Sequence, residues 1–259
     1  ENYLKRAQVL GNIFADIKIL PSLILRTEFG GNADLNNTSS WNPMYDYGMG
    51  AINEQNSITK QNSVSYFWQI KNYATFNKSF LDSHNLTAMV GQEVSEWGWN
   101  SLSGTGKGLP TNDVHAIRLS EELNQTATDA SNSGALESYF GRLNYNFNEK
   151  YYLTFTYRAD GHSNFAEGNK WGYFPSAAFK WRLANEPFMS AIESVVSDLS
   201  VRASWGQTGN AGTQGGFRYG ASMATLPTNL GLGFRVSNNA NPLLTWETAE
   251  QIDLGFDAG

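Results

Sequence analysis

The sequence predicts an all-β protein, an antiparallel transmembrane β-barrel segment of about nine strands. Three observations carry this. Apolar and polar residues alternate with a period of two over successive stretches, and the connections between stretches are alternately short and long. In addition, no apolar run approaches the roughly 18–20 residues of a membrane-spanning helix. Successive side chains of a strand point to opposite faces, so the alternation makes one apolar face and one polar face. The lipid face of a barrel is hidden in such alternation.

The clearest stretch covers residues 137–158. Tyr139, Gly141, Leu143, Tyr145 and Phe147 take every second position, with Ser138, Phe140, Arg142, Asn144 and Asn146 between them. Tyr151, Leu153, Phe155 and Tyr157 then alternate with Tyr152, Thr154, Thr156 and Arg158. Asn148, Glu149 and Lys150 leave room only for a tight reversal, so the two arms form a hairpin.

In chain order, a strand is expected over 7–19, with Val9, Ile13 and Ile17 on one face, and a turn at Pro21 and Ser22 leads to a strand over 23–29. Residues 30–59, rich in Asn, Gly and Ser, read as a long loop. Strands follow from Ser63 toward Asn77 and, after a reversal near 82–85, from Leu86 toward Glu96. Residues 97–133 read as a second loop before the hairpin. A loop holding Asp160, Gly161, His162 and Ser163 precedes a strand over 176–183. Asn185 is placed to cap a short helical turn through Pro187 and Met189. A strand over 199–205, a loop over 206–241 and a strand over 251–258 complete the chain. Tyr139, Phe147, Tyr151, Tyr157 and Trp205 fall at strand ends, as in an interfacial aromatic girdle.

Composition supports many strands joined by turns: 14% of the 259 residues are aromatic and 25 are Gly. With no cysteine, disulfides and thiolate metal sites are ruled out. The formal charge of −6 and the scattered 18 Lys and Arg give no basic stripe for nucleic acid. The opening ENYLKRAQVL lacks the regions of a signal peptide and reads as mid-protein.

The motifs give no catalytic, cofactor or metal site, and the chain is not expected to be an enzyme. Residues 104–108, GTGKG, lack the spacing and the hydroxyl of a phosphate loop. His84, His115 and His162 are isolated, without partners at metal spacing, and are expected at the surface. Arg142, Arg158, Lys180, Arg182 and Arg202 fall on the polar faces of consecutive strands and so on the lumen. They either meet an acidic substrate or are paired with luminal acids and solvent. Trp41, Tyr45, Tyr47, Trp97 and Trp99 fall in or beside the long loops, where flat aromatic faces bind sugar rings or anchor a partner protein. The alternative is that they only pack the loops or line the girdle. A rival class is a soluble or surface-attached β-sandwich that binds glycans as a lectin does, with the aromatic residues forming its core.

Three blocks carry a family resemblance. They are SYFGRLNYNFNEKYYLTFTYRADGHSNFAEGNKWGYFPSAAFKWRLANEPFM, SDLSVRASWGQTGN and NPLLTWETAEQIDLGFD. In order and wording they resemble the SusC/RagA family of TonB-linked outer-membrane transporters. The resemblance implies a 22-stranded barrel around an N-terminal plug, in the outer membrane of a Bacteroidota-type bacterium. It further implies a SusD-like surface lipoprotein that delivers glycans or peptides, and import driven by the TonB complex through the plug, which Arg142, Arg158, Lys180, Arg182 and Arg202 are then placed to meet. Residues 1–259 would then be a partial barrel domain in contact with outer-membrane lipid, with the plug absent from them. An open nine-stranded sheet in lipid would leave two edges of unsatisfied backbone groups, so neighbouring strands are expected.

Overall fold

The computed structural model describes residues 2–192, 195–212 and 219–259. Nine strands make one sheet: β1 (Tyr3–Leu20), β2 (Leu23–Asn42), β5 (Ser57–Phe80), β6 (His84–Lys107), β7 (Gln125–Phe147), β8 (Tyr151–His162), β9 (Trp171–Arg182), β10 (Leu199–Asn210) and β13 (Glu247–Ala258). They are hydrogen-bonded in that order, with β1 and β13 at the two ends. Two small antiparallel ladders lie within the connections, β3 (Tyr45–Asp46) with β4 (Ile52–Asn53), and β11 (Ser222–Thr228) with β12 (Gly231–Asn238).

The expected strands are all present, and the short connections fall where the turn residues put them. At the reversal after β7, Asn148 and Glu149 both take positive φ, 54° and 55°, a backbone geometry whose twist suits a tight antiparallel hairpin. Leu81 and Asp82 repeat this between β5 and β6, with φ of 52° and 54°.

Several expected loops are strand instead. β2 continues through the Asn-rich segment to Asn42, and β5 begins at Ser57, so the loop expected over 30–59 is reduced to its centre. β6 runs to Lys107 and β7 starts at Gln125, which removes most of the loop expected over 97–133 and places Gly104, Thr105, Gly106 and Lys107 in a strand. Asp160, Gly161 and His162 end β8, and the loop over 206–241 contains the end of β10 and the β11–β12 hairpin. The physical reason is common to all four. These segments carry few large apolar side chains in alternation, β12 with Leu232, Phe234 and Val236 excepted, but a neighbouring strand still satisfies their backbone groups, and pairing does not need greasy side chains. The helical turn exists as a 3-10 helix over Pro187–Ile192, yet Asn185 does not cap it with its oxygen; its side-chain amide donates to the Glu149 carbonyl at 3.0 Å.

The chain divides into two compact units. The first comprises Glu1–Asn12, Gly30–Trp68 and Glu96–Ser133. Its centre is Asn56, fully buried, whose side-chain amide reaches the carbonyls of Leu109 and Thr111 at 3.2 Å each while its oxygen accepts the Leu109 N–H at 2.7 Å. Ile58 and Leu109 are buried in the same unit. Asn112 adds a paired contact, donating to the Met44 carbonyl and accepting the Met44 N–H, each at 2.8 Å. The second unit comprises Ile13–Phe29, Gln69–Ser95 and Gly134–Gly259 and contains the β8–β9–β10–β13 wall. Its buried apolar side chains are Phe165, Phe174 and Met189.

Candidate functional site

In the second unit the register sorts side chains into rows across five strands. Leu143, Phe155, Ala177, Trp205 and Ile252 face one another on one side, and Tyr145, Leu153, Phe179, Ala203 and Leu254 form the next row. Phe147, Tyr151, Trp181, Val201 and Phe256 make a third. On the other side run Arg142, Thr156, Ser176, Gly206 and Gln251, then Asn144, Thr154, Ala178, Ser204 and Asp253. One face is therefore apolar along its whole width and the other is polar. Leu143 is 38% exposed, Phe155 50%, Phe179 39% and Val201 38%, so no second sheet or helix layer covers the apolar face. That exposure overturns the β-sandwich reading, in which these side chains would be core.

Aromatic side chains collect at both ends of the apolar face. Near the short turns, the Phe147 and Tyr151 rings lie 6.3 Å apart, and Tyr151 and Trp181 6.1 Å apart. His84 joins them, 4.8 Å from Phe147, with its Nδ1 2.6 Å from the Tyr145 hydroxyl. Near the long connections Tyr157 stacks beside Tyr173, and Tyr139 beside Trp171. Trp205 is not at a strand end, because β10 continues to Asn210, and its indole N–H donates to Glu250 at 2.7 Å.

Beyond Trp181, in the short connection, three donors converge on Glu186. The Tyr151 hydroxyl donates at 2.6 Å, the Lys150 ammonium at 2.9 Å and the Trp181 indole at 3.0 Å. The Tyr151 hydrogen bond first, then those from Lys150 and Trp181, hold the Glu186 carboxyl down to about 2.

The five candidate luminal cations share the polar face but differ in partnership. Arg158 donates through Nε to Asp160 at 2.9 Å and through Nη2 to Ser138 at 2.8 Å, and lies 3.8 Å from Glu93. A second Asp160 oxygen is 2.7 Å from Nε but off the hydrogen-bond line. Lys180 and Arg202 share Asp257, each at 3.7 Å, and Arg182 pairs with Asp198 at 3.0 Å. Arg142 is exposed and has no carboxylate within ion-pair distance among the described residues.

A cluster that sequence reasoning missed sits at the polar side of the β8–β9 end. His162, which was expected at the surface, is only 7% exposed. Its Nδ1 accepts the Asn164 N–H at 2.9 Å, and its ring meets Trp246 edge-on at 6.0 Å. Trp246 also packs on Phe165 and Phe174, each at 5.3 Å, and donates its indole N–H to the Lys170 carbonyl at 2.9 Å. Only the Gly at 172 and 209, unusual for strand interiors, hinted at a ring lying flat on the backbone.

The five aromatic candidates all lie in the first unit. Trp41 ends β2 and contacts the exposed His115 at 4.5 Å, while Tyr45 in β3 stacks with Tyr47 at 4.9 Å. Trp97 and Trp99 belong to β6 rather than to a loop, Trp97 half-buried and Trp99 exposed. Tyr45 and Tyr47 are thus paired at the β3–β4 ladder, Trp41 is held by His115 at the end of β2, and the two indoles Trp97 and Trp99 lie on β6.

A sheet with one exposed apolar face, girdled at both ends, and one ion-paired polar face is built for a bilayer on one side and water on the other. The family model described as TonB dependent receptor-like, beta-barrel, matches residues 17–259. The chain belongs to that family. Among its relatives, SusC of Bacteroides thetaiotaomicron is 35% identical over 214 residues, 81% of this chain and 20% of SusC. TonB-dependent receptor P3 of Formosa agariphila is 29% identical over 250 residues, 95% of this chain and 25% of the receptor. A solved structure of the RagAB peptide importer in its closed-closed state contains a chain that superposes with a TM-score of 0.89 at 25% identity, over 99% of this chain and 28% of that one.

This TonB-dependent receptor-like barrel segment spans about a quarter of the length of these relatives. It is an outer-membrane protein of a family of transport receptors, not of enzymes. Its apolar rows have the character of a lipid face, and its polar rows that of a water-facing one.

Proposed function

We propose that residues 1–259 are part of the barrel domain of a TonB-dependent importer of oligosaccharides or peptides, working with a SusD-like lipoprotein and powered by the TonB complex through a plug domain. The observation that carries this reading is the separation of faces: Leu143, Phe155, Phe179 and Val201 are exposed on one side while Arg142, Arg158, Lys180, Arg182 and Arg202 share the other. Family membership supports TonB-dependent uptake. Likeness to SusC and to a chain of the RagAB peptide importer supports a two-component system and cargo of oligomer size. In this reading the five cations border the path of plug and cargo, and Trp41, Tyr45, Tyr47, Trp97 and Trp99 offer aromatic faces to cargo or partner.

The test uses the intact gene product in its native outer membrane. A strain lacking it is compared with wild type for uptake of fluorescent malto-oligosaccharides and of fluorescent tryptic peptides. Loss of one uptake activity on deletion, and on removal of TonB, is expected. Release of the protein from membranes without detergent, with both uptakes intact in the deletion strain, would sink the reading.

A further inference from the structure

We propose that Arg142 is the point on this wall that binds an oxyanion, an inference that rests on the polar face being a transport lumen. The argument is one of unspent charge. Four of the five luminal cations already lean on carboxylates of the wall or its connections: Arg158 on Asp160 and Glu93, Lys180 and Arg202 on Asp257, and Arg182 on Asp198. Arg158 and Arg182 are neutralised within a few ångströms, and Lys180 and Arg202 divide the one Asp257 carboxylate between them, so each of the four is at least partly engaged before an anion arrives. Arg142 has no such partner among the described residues and is exposed.

Its surroundings suit an anion. Directly across from it lies Thr156, followed by Ser176 and then Gly206. In the next row Thr154 donates to the Asn144 oxygen at 3.0 Å, and the acid of that row, Asp253, lies on β13, four strands from Arg142. A guanidinium presents a planar fork of donors matched to carboxylate, sulfate or phosphate oxygens, and hydroxyls beside it add donors without adding negative charge. Gly206 keeps the bed shallow: a methyl group there would press to 3.0 Å on the Ser176 side chain. The wall thus holds a recognition element for an oxyanion whose neighbours across the ladder, Thr156 and Ser176, are neutral hydroxyls. The oxyanion comes either from acidic cargo or from a carboxylate of the same protein outside these residues, and the experiment separates the two.

The full-length protein is prepared as wild type, Arg142→Gln, Arg142→Lys and, as a control for loss of an exposed charge away from the nine-stranded sheet, Arg235→Gln on the β11–β12 hairpin. Unchanged heat-modifiable gel migration checks that each is folded. In one arm, binding of triglutamate against triglutamine, and of trigalacturonate against maltotriose, is measured in detergent at low salt. In the other, the urea concentration that opens conducting channels in planar bilayers reports release of internal segments. A roughly tenfold loss of affinity confined to the anionic probe in Arg142→Gln, partly restored in Arg142→Lys and erased in wild type at high salt, assigns the site to cargo. A lowered urea threshold in Arg142→Gln with unchanged probe binding assigns it to an internal carboxylate. Either result upholds the proposal. If Arg142→Gln matches wild type in both arms, or Arg235→Gln reproduces its effect, the proposal is overturned. Absence of uptake by the wild-type protein would instead count against the transport reading.

Discussion

The indole of Trp246 lies over the backbone of Gly172, so close that a methyl group added at Gly172 would come within 2.8 Å of the ring. Gly172 faces Asp160 across the ladder, so the ring of a residue seventy-odd positions along the chain fills the space that a strand side chain would occupy. Gly209 does the same beneath Phe174, where a Cβ would overlap the ring.

Replacing Gly209 by Ala is therefore predicted to destabilise the barrel wall by about 1–3 kcal/mol, the usual cost of overpacking a tight site. The measurement is the urea midpoint of the full-length protein refolded in lipid vesicles. Phe174→Leu in the same chain should recover part of the loss, because the clash is with that ring. Gly141→Ala, inside β7, where the nearest atom to the added carbon is the Met89 carbonyl oxygen at an ordinary 3.7 Å, should stay within about 0.5 kcal/mol of wild type.

Adjacent residues of β8 should respond oppositely to the same charge. Phe155→Arg puts a guanidinium on the lipid face and should cost about 2–4 kcal/mol near the bilayer midplane. Thr154→Arg puts it on the polar face, beside Asn144, and should be tolerated. The fraction of heat-modifiable folded protein in outer membranes reads both; equal yields would mean that the faces are wrongly assigned.

The Glu186 cluster predicts an acid-sensitive short-turn end. Its folded-state pKa of about 2 lies below the ordinary 4.5, so the stability it contributes is complete above about 4.5 and is lost as pH falls from there toward 2. The midpoint for thermal loss of the folded band should drop across that window in wild type. Glu186→Gln should be less stable at neutral pH and should lack that share of the drop. A parallel pH profile for the two proteins would refute the assignment.

Part of this was legible in the alternation alone. Tyr139 through Phe147 and Tyr151 through Tyr157 carry the hairpin, its register and its apolar face, because a strand's side-chain period is two whatever surrounds it. That Arg142, Arg158, Lys180, Arg182 and Arg202 share the polar face was legible the same way, as residues out of phase with the apolar ones. Residues 30–42, 97–107 and 125–133 were not legible as strand, because few large apolar side chains alternate along them and the ordering term is a neighbouring backbone rather than a greasy side chain. The burial of His162 by Trp246 and the strand positions of Trp97 and Trp99 likewise followed from that pairing.

The sequence by itself determined which side chains share a face and hence that one face suits lipid and the other water, since that depends only on local backbone geometry. Only the tertiary structure decided which charges are spent. Arg158, Lys180, Arg182 and Arg202 find carboxylates from other strands or from a connection, while Arg142, identical in pattern, finds none within reach among the described residues. Charge pairing depends on distance through space across strands, and one-dimensional spacing does not encode that.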